Sequence, residues 1–273
     1  MRFEQLIASD ALIPSLPSTV AQIFGEFQKP EPNMRQITAM LSNEVGLTVR
    51  VLRLLNSARY GSGGRIGTVE AAIPLLGLTA TKQLVSAAAV GGAFKQVPGV
   101  ELAEFWRHSL DVAKIAQSLA ASMGQDKGLA FTAGLLHGVG DLVMKTAMPD
   151  QPCMQASFAV DADRHAKQTA ELGYSYADVG AAFADKWRFP QTIVDAIQHH
   201  PDPREDMESE ALAGILYLSS WGGRAHELDL DAPALFEQYP RRVAEAIGFN
   251  EPDRLCSENP IEWTGPEEAG DFA

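Results

Sequence analysis

The chain predicts an all-α fold. Apolar residues recur three and four positions apart through most of its 273 residues, and no stretch alternates apolar with polar residues as a strand does. Residues that start and stop helices punctuate the periodic runs.

Taken in order, Leu16, Val20, Ile23, Phe24 and Phe27 lie at offsets of four, seven, eight and eleven, which places one apolar stripe on one helical face. Asn33 is suited to cap a second helix that carries Ile37, Met40 and Leu41 inward. Leu47, Val51, Leu54 and Leu55 repeat the spacing, and Gly61-Ser62-Gly63-Gly64 then breaks it as a loop. Thr68 caps a short helix bearing Val69, Ala72, Ile73 and Leu76, stopped by Gly77; Thr79 opens the next, which runs to Gly91-Gly92. A long helix from about Glu101 to Met123 buries Leu102, Phe105, Trp106, Val112, Ala116, Leu119 and Ala120, and Gly124 ends it. Residues 130–143 are apolar again, with a bend expected where Gly138 and Gly140 weaken the helix. Asp161 caps a helix ending at Leu172-Gly173. Ser175-x-x-Asp178 forms a capping box for the helix toward Trp187. Pro190 is placed as the first residue of a helix through Ile193, Val194 and Ile197, and Ser209 starts one through Leu212, Ile215, Leu216 and Leu218. Residues 250–273 carry seven acids against Arg254, with Pro252, Pro260 and Pro266. They read as a weakly packed or disordered tail, or else as a docked segment anchored by Leu255, Ile261, Trp263 and Phe272.

Composition excludes several function classes. With 22 basic and 35 acidic residues the formal charge is −13, which opposes both nucleic-acid phosphates and anionic lipid. Cys153 and Cys256 form no CxxC pattern, so a reducing compartment is expected rather than a disulfide scaffold. Neither a signal peptide nor an uninterrupted membrane span is apparent, and the expectation is a soluble, cytoplasmic protein. The glycine loop at 61–64 lacks the Lys-Ser/Thr of a phosphate-binding loop, and no Gly-x-Ser-x-Gly is present. Asn56-Ser57-Ala58-Arg59-Tyr60 reads as a helix end and turn, with a binding edge between lobes as the alternative.

The six histidines are His108, His137, His165, His199, His200 and His226, all beyond residue 100. In Gly134-Leu135-Leu136-His137-Gly138-Val139-Gly140, His137 ends an apolar helix. A hydrolytic metal centre needs imidazole and carboxylate ligands with one position open, but no carboxylate stands beside His137. Zinc could accept imidazoles alone. Successive helical residues point about 100° apart, so His199 and His200 could share a site only if Pro201 pushed His200 out of the helical conformation, as expected for a residue before proline. The alternative for each is a structural histidine bonded to a backbone carbonyl. His165 and His226 lie in polar segments and are expected at the surface.

Several segments, in this order, resemble the HDOD domain family, HD-related output domains of bacterial signalling proteins. They are Leu16-Pro17, Leu52-Arg53-Leu54-Leu55-Asn56-Ser57-Ala58, Ala72-Ile73-Pro74-Leu75-Leu76-Gly77, Trp106-x-His108-Ser109-Leu110, the His137 motif, Glu171-x-Gly173, Val179-Gly180-Ala181, Trp187-x-Phe189-Pro190 and Ala196-Ile197-x-His199-His200-Pro201. The likeness runs over about residues 10–222. It implies an all-α fold related to HD phosphohydrolases, with an N-terminal helical lobe (about 10–95) and an HD-like lobe (about 100–222). A helical extension (223–249) and the acidic tail (250–273) would follow. It also places His108, His137, His199 and His200 at HD-type metal-ligand positions. Three departures stand out: Gly138 replaces the HD aspartate, Tyr176 stands where related sequences often have His, and Ser220 stands near a later metal-binding Asp. The expected function is therefore a non-catalytic signal-transduction module. It would bind a partner signalling protein or small ligand between its lobes, with no cofactor, nucleic acid or membrane, and with homo-oligomerisation open. The alternative is a residual metal-dependent HD-type phosphohydrolase acting on a nucleotide or phosphoester.

Overall fold

A computed structural model describes residues 1–9, 11–13, 17–56, 66–154, 164–203, 211–256 and 261–270. Leu16, residues 57–64, the Asp161 cap, the Ser209 start and Phe272 lie outside them. The protein is 71% helical, with no strand among the described residues. Its helices are α1 (Phe3–Ile7), α2 (Ser18–Phe27), α3 (Met34–Ser42), α4 (Val45–Asn56), α5 (Val69–Gly91), α6 (Leu102–Ser122), α7 (Lys127–Leu136) and α8 (Val139–Ala147). After a short 3-10 turn at Pro152–Met154 come α9 (Arg164–Leu172), α10 (Tyr176–Lys186), α11 (Gln191–His199) and α12 (Ala211–Glu227). The chain closes with α13 (Ala232–Gln238), α14 (Arg241–Ala246), α15 (Pro252–Leu255) and α16 (Pro266–Gly270).

Side-chain chemistry sets the helix starts. The Asn33 side chain accepts from the Gln36 amide at 3.1 Å, and Thr68 Oγ1 accepts from the Ala71 amide at 3.3 Å. The Ser175 amide donates to Asp178 Oδ2 at 2.8 Å while Ser175 Oγ accepts from the Ala177 amide, so Asp serves the box where Glu is usual. Pro190 sits one position earlier than expected, as the cap of α11 rather than its first residue. Gly77 does not end α5 outright. It kinks the helix at φ 72°, ψ 178°, and the chain re-enters helix to Gly91. By length and composition α5 could cross a membrane, but its second half is core: Leu84, Val85, Ala88 and Val90 are buried.

Burial follows the expected stripes: Val20, Ile23, Phe24 and Phe27 on α2, Ile37 and Leu41 on α3, and Leu47, Val51, Leu54 and Leu55 on α4 are all buried. From Leu6 to Leu216 the buried apolar residues form one continuous core, which spans the N-terminal helices and the histidine-bearing ones. A second cluster joins Ile115 and Leu119 in the later half of α6 to Leu218 and Trp221 of α12 and to Leu235, Tyr239, Phe249 and Leu255. The described part of residues 250–273 is docked on this side. Leu255, Thr264 and Ala269 are buried, and α16 lies against α6.

Two glycines of the His137 motif bring helices into backbone contact. A Cβ on Gly134 would stand 2.6 Å from Ala113 Cα of α6, and one on Gly140 would stand 1.9 Å from the Tyr176 carbonyl oxygen of α10. Only glycine permits either approach. His137 is thus fixed between two helix crossings.

Candidate functional site

Three histidines converge where α6, the α7–α8 bend and the end of α11 meet. The His108 and His137 ring centroids are 5.4 Å apart, and those of His137 and His200 are 5.7 Å apart. All three residues are buried, His137 and His200 at 2% exposure. His137 Nδ1 donates to the Gly134 carbonyl at 2.6 Å, and His200 Nδ1 donates to the Ile197 carbonyl at 2.7 Å. Those bonds fix the tautomers: each Nε2 carries the lone pair. The Tyr176 hydroxyl lies 3.1 Å from His200 Nε2 and donates to it.

Burial favours the neutral rings of His137 and His200. Desolvation pushes the His200 pKa down to about 3, with Arg164 and His165 adding to the effect and the bond to Ile197 opposing it. Desolvation also holds His137 well below the usual imidazole range, reinforced by its two histidine neighbours. The Tyr176 hydroxyl is pushed up by burial, which keeps its proton in place for His200.

Carboxylates surround the histidines at one remove. Glu227 of α12 accepts from His108 Nδ1 at 3.1 Å. Burial raises the Glu227 carboxyl, but the His108 hydrogen bond and the His108 and Arg107 charges outweigh it and leave it below its ordinary value. Gly223, one turn earlier on α12, lets that helix close on His108: a Cβ there would sit 3.5 Å from the ring. Asp141, fully buried on α8, pairs with Arg164 at 2.7 Å and accepts from Gln168 Nε2 at 3.1 Å. The other end of the Gln168 amide accepts from the Tyr176 backbone at 2.7 Å. The Arg164 guanidinium lies 4.0 Å over the Tyr176 ring, a cation–π contact. One network therefore runs from Asp141 through Arg164 and Tyr176 to His200.

Sequence expectations meet this geometry unevenly. His200 is helical (φ −59°, ψ −29°), so Pro201 does not turn it away; the α11 ladder, closed by the His200 amide on Ala196, overrides the local pre-proline preference. His199 precedes it on the same helix and is half-buried, so the condition under which the two rings could share a site, His200 turned out of the helix by Pro201, is not met. His226 is exposed, as expected, though stacked on Trp263; His165 is half-buried rather than at the surface. Ser220 is half-buried on α12. Asp141, Arg164, Gln168 and Glu227 were not among the sequence candidates. Asp141 stands four residues after His137 but across the α7–α8 bend, so helical spacing did not mark it. Glu227 lies 119 residues from His108 and carried no signal.

Gly138 has ordinary helical angles (φ −95°, ψ −3°), so its backbone would accept any residue. Its side-chain space is tight: a Cβ would stand 3.1 Å from Phe105 Cε2, so the ring would have to shift by a few tenths of an ångström. The Phe105 ring lies against the side of Gly138 where a side chain would begin. Among the described residues no group of three or more His, Cys, Asp or Glu is placed to hold a metal ion. With His200 Nε2 taken by a phenol and Asp141 and Glu227 turned to other partners, the donor set does not fit the divalent metal of HD hydrolases. A separate cavity of about 1040 Å³ opens beside residues 95–103 and Thr146, and none of the histidines lines it.

Helical fold and histidine motif together define an HD-related protein. The chain belongs to the HDOD domain family, which matches residues 13–203. A phosphohydrolase-like protein from Shewanella amazonensis SB2B has a similar crystal structure: TM-score 0.79, 28% identity, 98% of this chain and 100% of that one. An HDOD domain protein of unknown function from Geobacter sulfurreducens superposes with a TM-score of 0.70 at 24% identity, over 94% of this chain and 86% of that one, and shares the fold. In sequence the chain is 27% identical over 238 residues to an uncharacterized protein of Treponema pallidum (strain Nichols), 85% of this chain and 45% of that protein. It is 35% identical over 114 residues to Ribonuclease Y of Thermus thermophilus, 42% of this chain and 15% of the enzyme. The chain thus spans less than half the length of these two sequence relatives.

Proposed function

We propose that this protein is a non-catalytic regulatory module of signal transduction, which uses an HD-hydrolase frame to bind a partner protein or small ligand. The observation that carries the reading is the closed histidine cluster. Tyr176 occupies His200 Nε2, Phe105 fills the space beside Gly138, and the nearby carboxylates are engaged elsewhere. These contacts take up His200 Nε2 and the Asp141 carboxylate, groups that could otherwise orient or deprotonate a water. A small ligand has room in the cavity beside residues 95–103, at the junction where the sequence changes from the N-terminal helices to the histidine-bearing ones. The reading predicts no turnover of generic phosphomonoesters, phosphodiesters or nucleotides with added Mn, Mg, Fe or Zn. Robust metal-dependent turnover that disappears in His137→Ala would overturn it.

A residual metal-dependent phosphohydrolase is the second reading. What favours it is that His137 and His200 both donate Nδ1–H to backbone carbonyls, the anchoring that metal-binding histidines use to present Nε2. Stoichiometric metal in purified protein, with a melting temperature that falls on chelation, is its expected signature.

A further inference from the structure

The C-terminal segment contacts α6 and α12 through polar, aromatic and apolar groups. The Thr264 amide donates to Asp111 Oδ1 at 2.8 Å, and Lys114 Nζ donates to Thr264 Oγ1 at 2.8 Å. Trp263 stacks on His226 with ring centroids 3.5 Å apart and planes 4° apart. Ala269 is buried where α16 meets α6.

Both anchored helices reach the histidine site within one turn. Asp111 follows His108 by three residues on α6, so the two share a face. His226 is the neighbour of Glu227, the carboxylate that holds His108 Nδ1. The segment therefore bridges α6 and α12 at the level where those helices are joined by the His108–Glu227 pair.

The chemistry of the seat is that of a contact that can open. The seat is mixed: Ile261 and Trp263 pack on the second apolar cluster and Ala269 is buried, but the segment also covers a carboxylate and an ammonium whose burial is costly and which water would satisfy on release. Burial already pushes the Asp111 carboxyl up. The segment is also acidic, with Glu262, Glu267 and Glu268, on a chain of formal charge −13, so general electrostatics oppose its docking and the specific anchors must hold it.

We propose that residues 261–270 form a reversible strap across α6 and α12 that sets the His108–Glu227 pair, with Trp263 and Thr264 as its positioning residues. The strap gives the C-terminus control of the histidine site. This holds for a binding module and a hydrolase alike, so it stands or falls separately from the reading above.

Hydrogen exchange and the ring-nitrogen spectrum of histidine-labelled full-length protein test it. In Trp263→Ala and Thr264→Ala, exchange of residues 261–270 rises at least about tenfold while α6 and α12 keep their protection, as for a locally opening unit. In the same variants the His108 Nδ1 signal moves toward its position in Glu227→Gln, and Thr264→Ser restores both readouts. The proposal is overturned if the wild-type segment opens only with global unfolding, or if His108 stays unmoved while the strap is loosened. Should Trp263→Ala fail to fold, the Thr264→Ala and Thr264→Ser pair decides alone.

Discussion

At the scale of single residues, His200 makes stability depend on pH. Its folded pKa is about 3, against about 6.5 for an unfolded histidine, and His137 is displaced in the same direction. As pH falls below about 6.5 the unfolded chain takes up protons that the folded protein refuses, so each ring costs about 1.4 kcal/mol per pH unit once well below that value. Denaturant midpoints should therefore fall steadily between pH 6.5 and 5, above the window in which Glu227 loses its own depressed-pKa contribution. In His200→Gln the slope should be shallower by about one proton; equal slopes would mean that the native ring titrates normally. Gly138→Asp puts back the residue type an HD enzyme has, yet its Cβ meets Phe105. It is expected to lower stability by about 1–3 kcal/mol without acquiring metal, as measured by thermal melts and elemental analysis. A stabilised, metal-loaded Gly138→Asp protein would contradict the closed site. The convergence of His108, His137 and His200 was legible because motif residues mark it. The approach of the Phe105 ring to Gly138 was not, because its apolar spacing on α6 reads only as core.

At the scale of elements, caps and stripes were the legible part. Asn33, Thr68 and the Ser175–Asp178 box each do what their residue types suggest, since these bonds are local in sequence. Local rules misled at His200, where the amide bond to Ala196 continues the helix and outweighs the proline that follows. Two glycines separate conformational from steric demand. Gly77 (φ +72°, ψ 178°) lies in a region open essentially only to glycine, with nothing within 4 Å of where a methyl group would stand, so Gly77→Ala should cost about 1–3 kcal/mol from backbone strain alone. Gly140→Ala drives a methyl into the α10 backbone, where no side chain can rotate away. It should cost more than about 3 kcal/mol or prevent folding, seen as lost soluble yield and collapsed near-ultraviolet dichroism. Equal melting temperatures for the two alanine variants would refute the distinction.

At the scale of the whole molecule, the acidic surface separates this chain from what the Ribonuclease Y likeness alone would suggest. A formal charge of −13 should leave single-stranded RNA unshifted in gels at about 150 mM salt, whereas a complex that persists there would require a basic face not evident in the composition. The all-helical class was legible because it is written in periodicity. The continuity of the core from Leu6 to Leu216 was not, because tertiary contact across the composition break near residue 95 leaves no local trace. Nor was the choice between a loose and a docked C-terminal segment, which hangs on Asp111 and Lys114, 153 and 150 residues from their partner Thr264. The stack of Trp263 on His226 carries an optical consequence. Trp106, Trp187 and Trp221 are buried in the interior, while Trp263 lies flat against the His226 imidazole. Parting the rings is therefore expected to change the emission of Trp263, and the difference between the steady-state spectra of the wild type and Trp263→Phe would isolate that signal from the other three tryptophans.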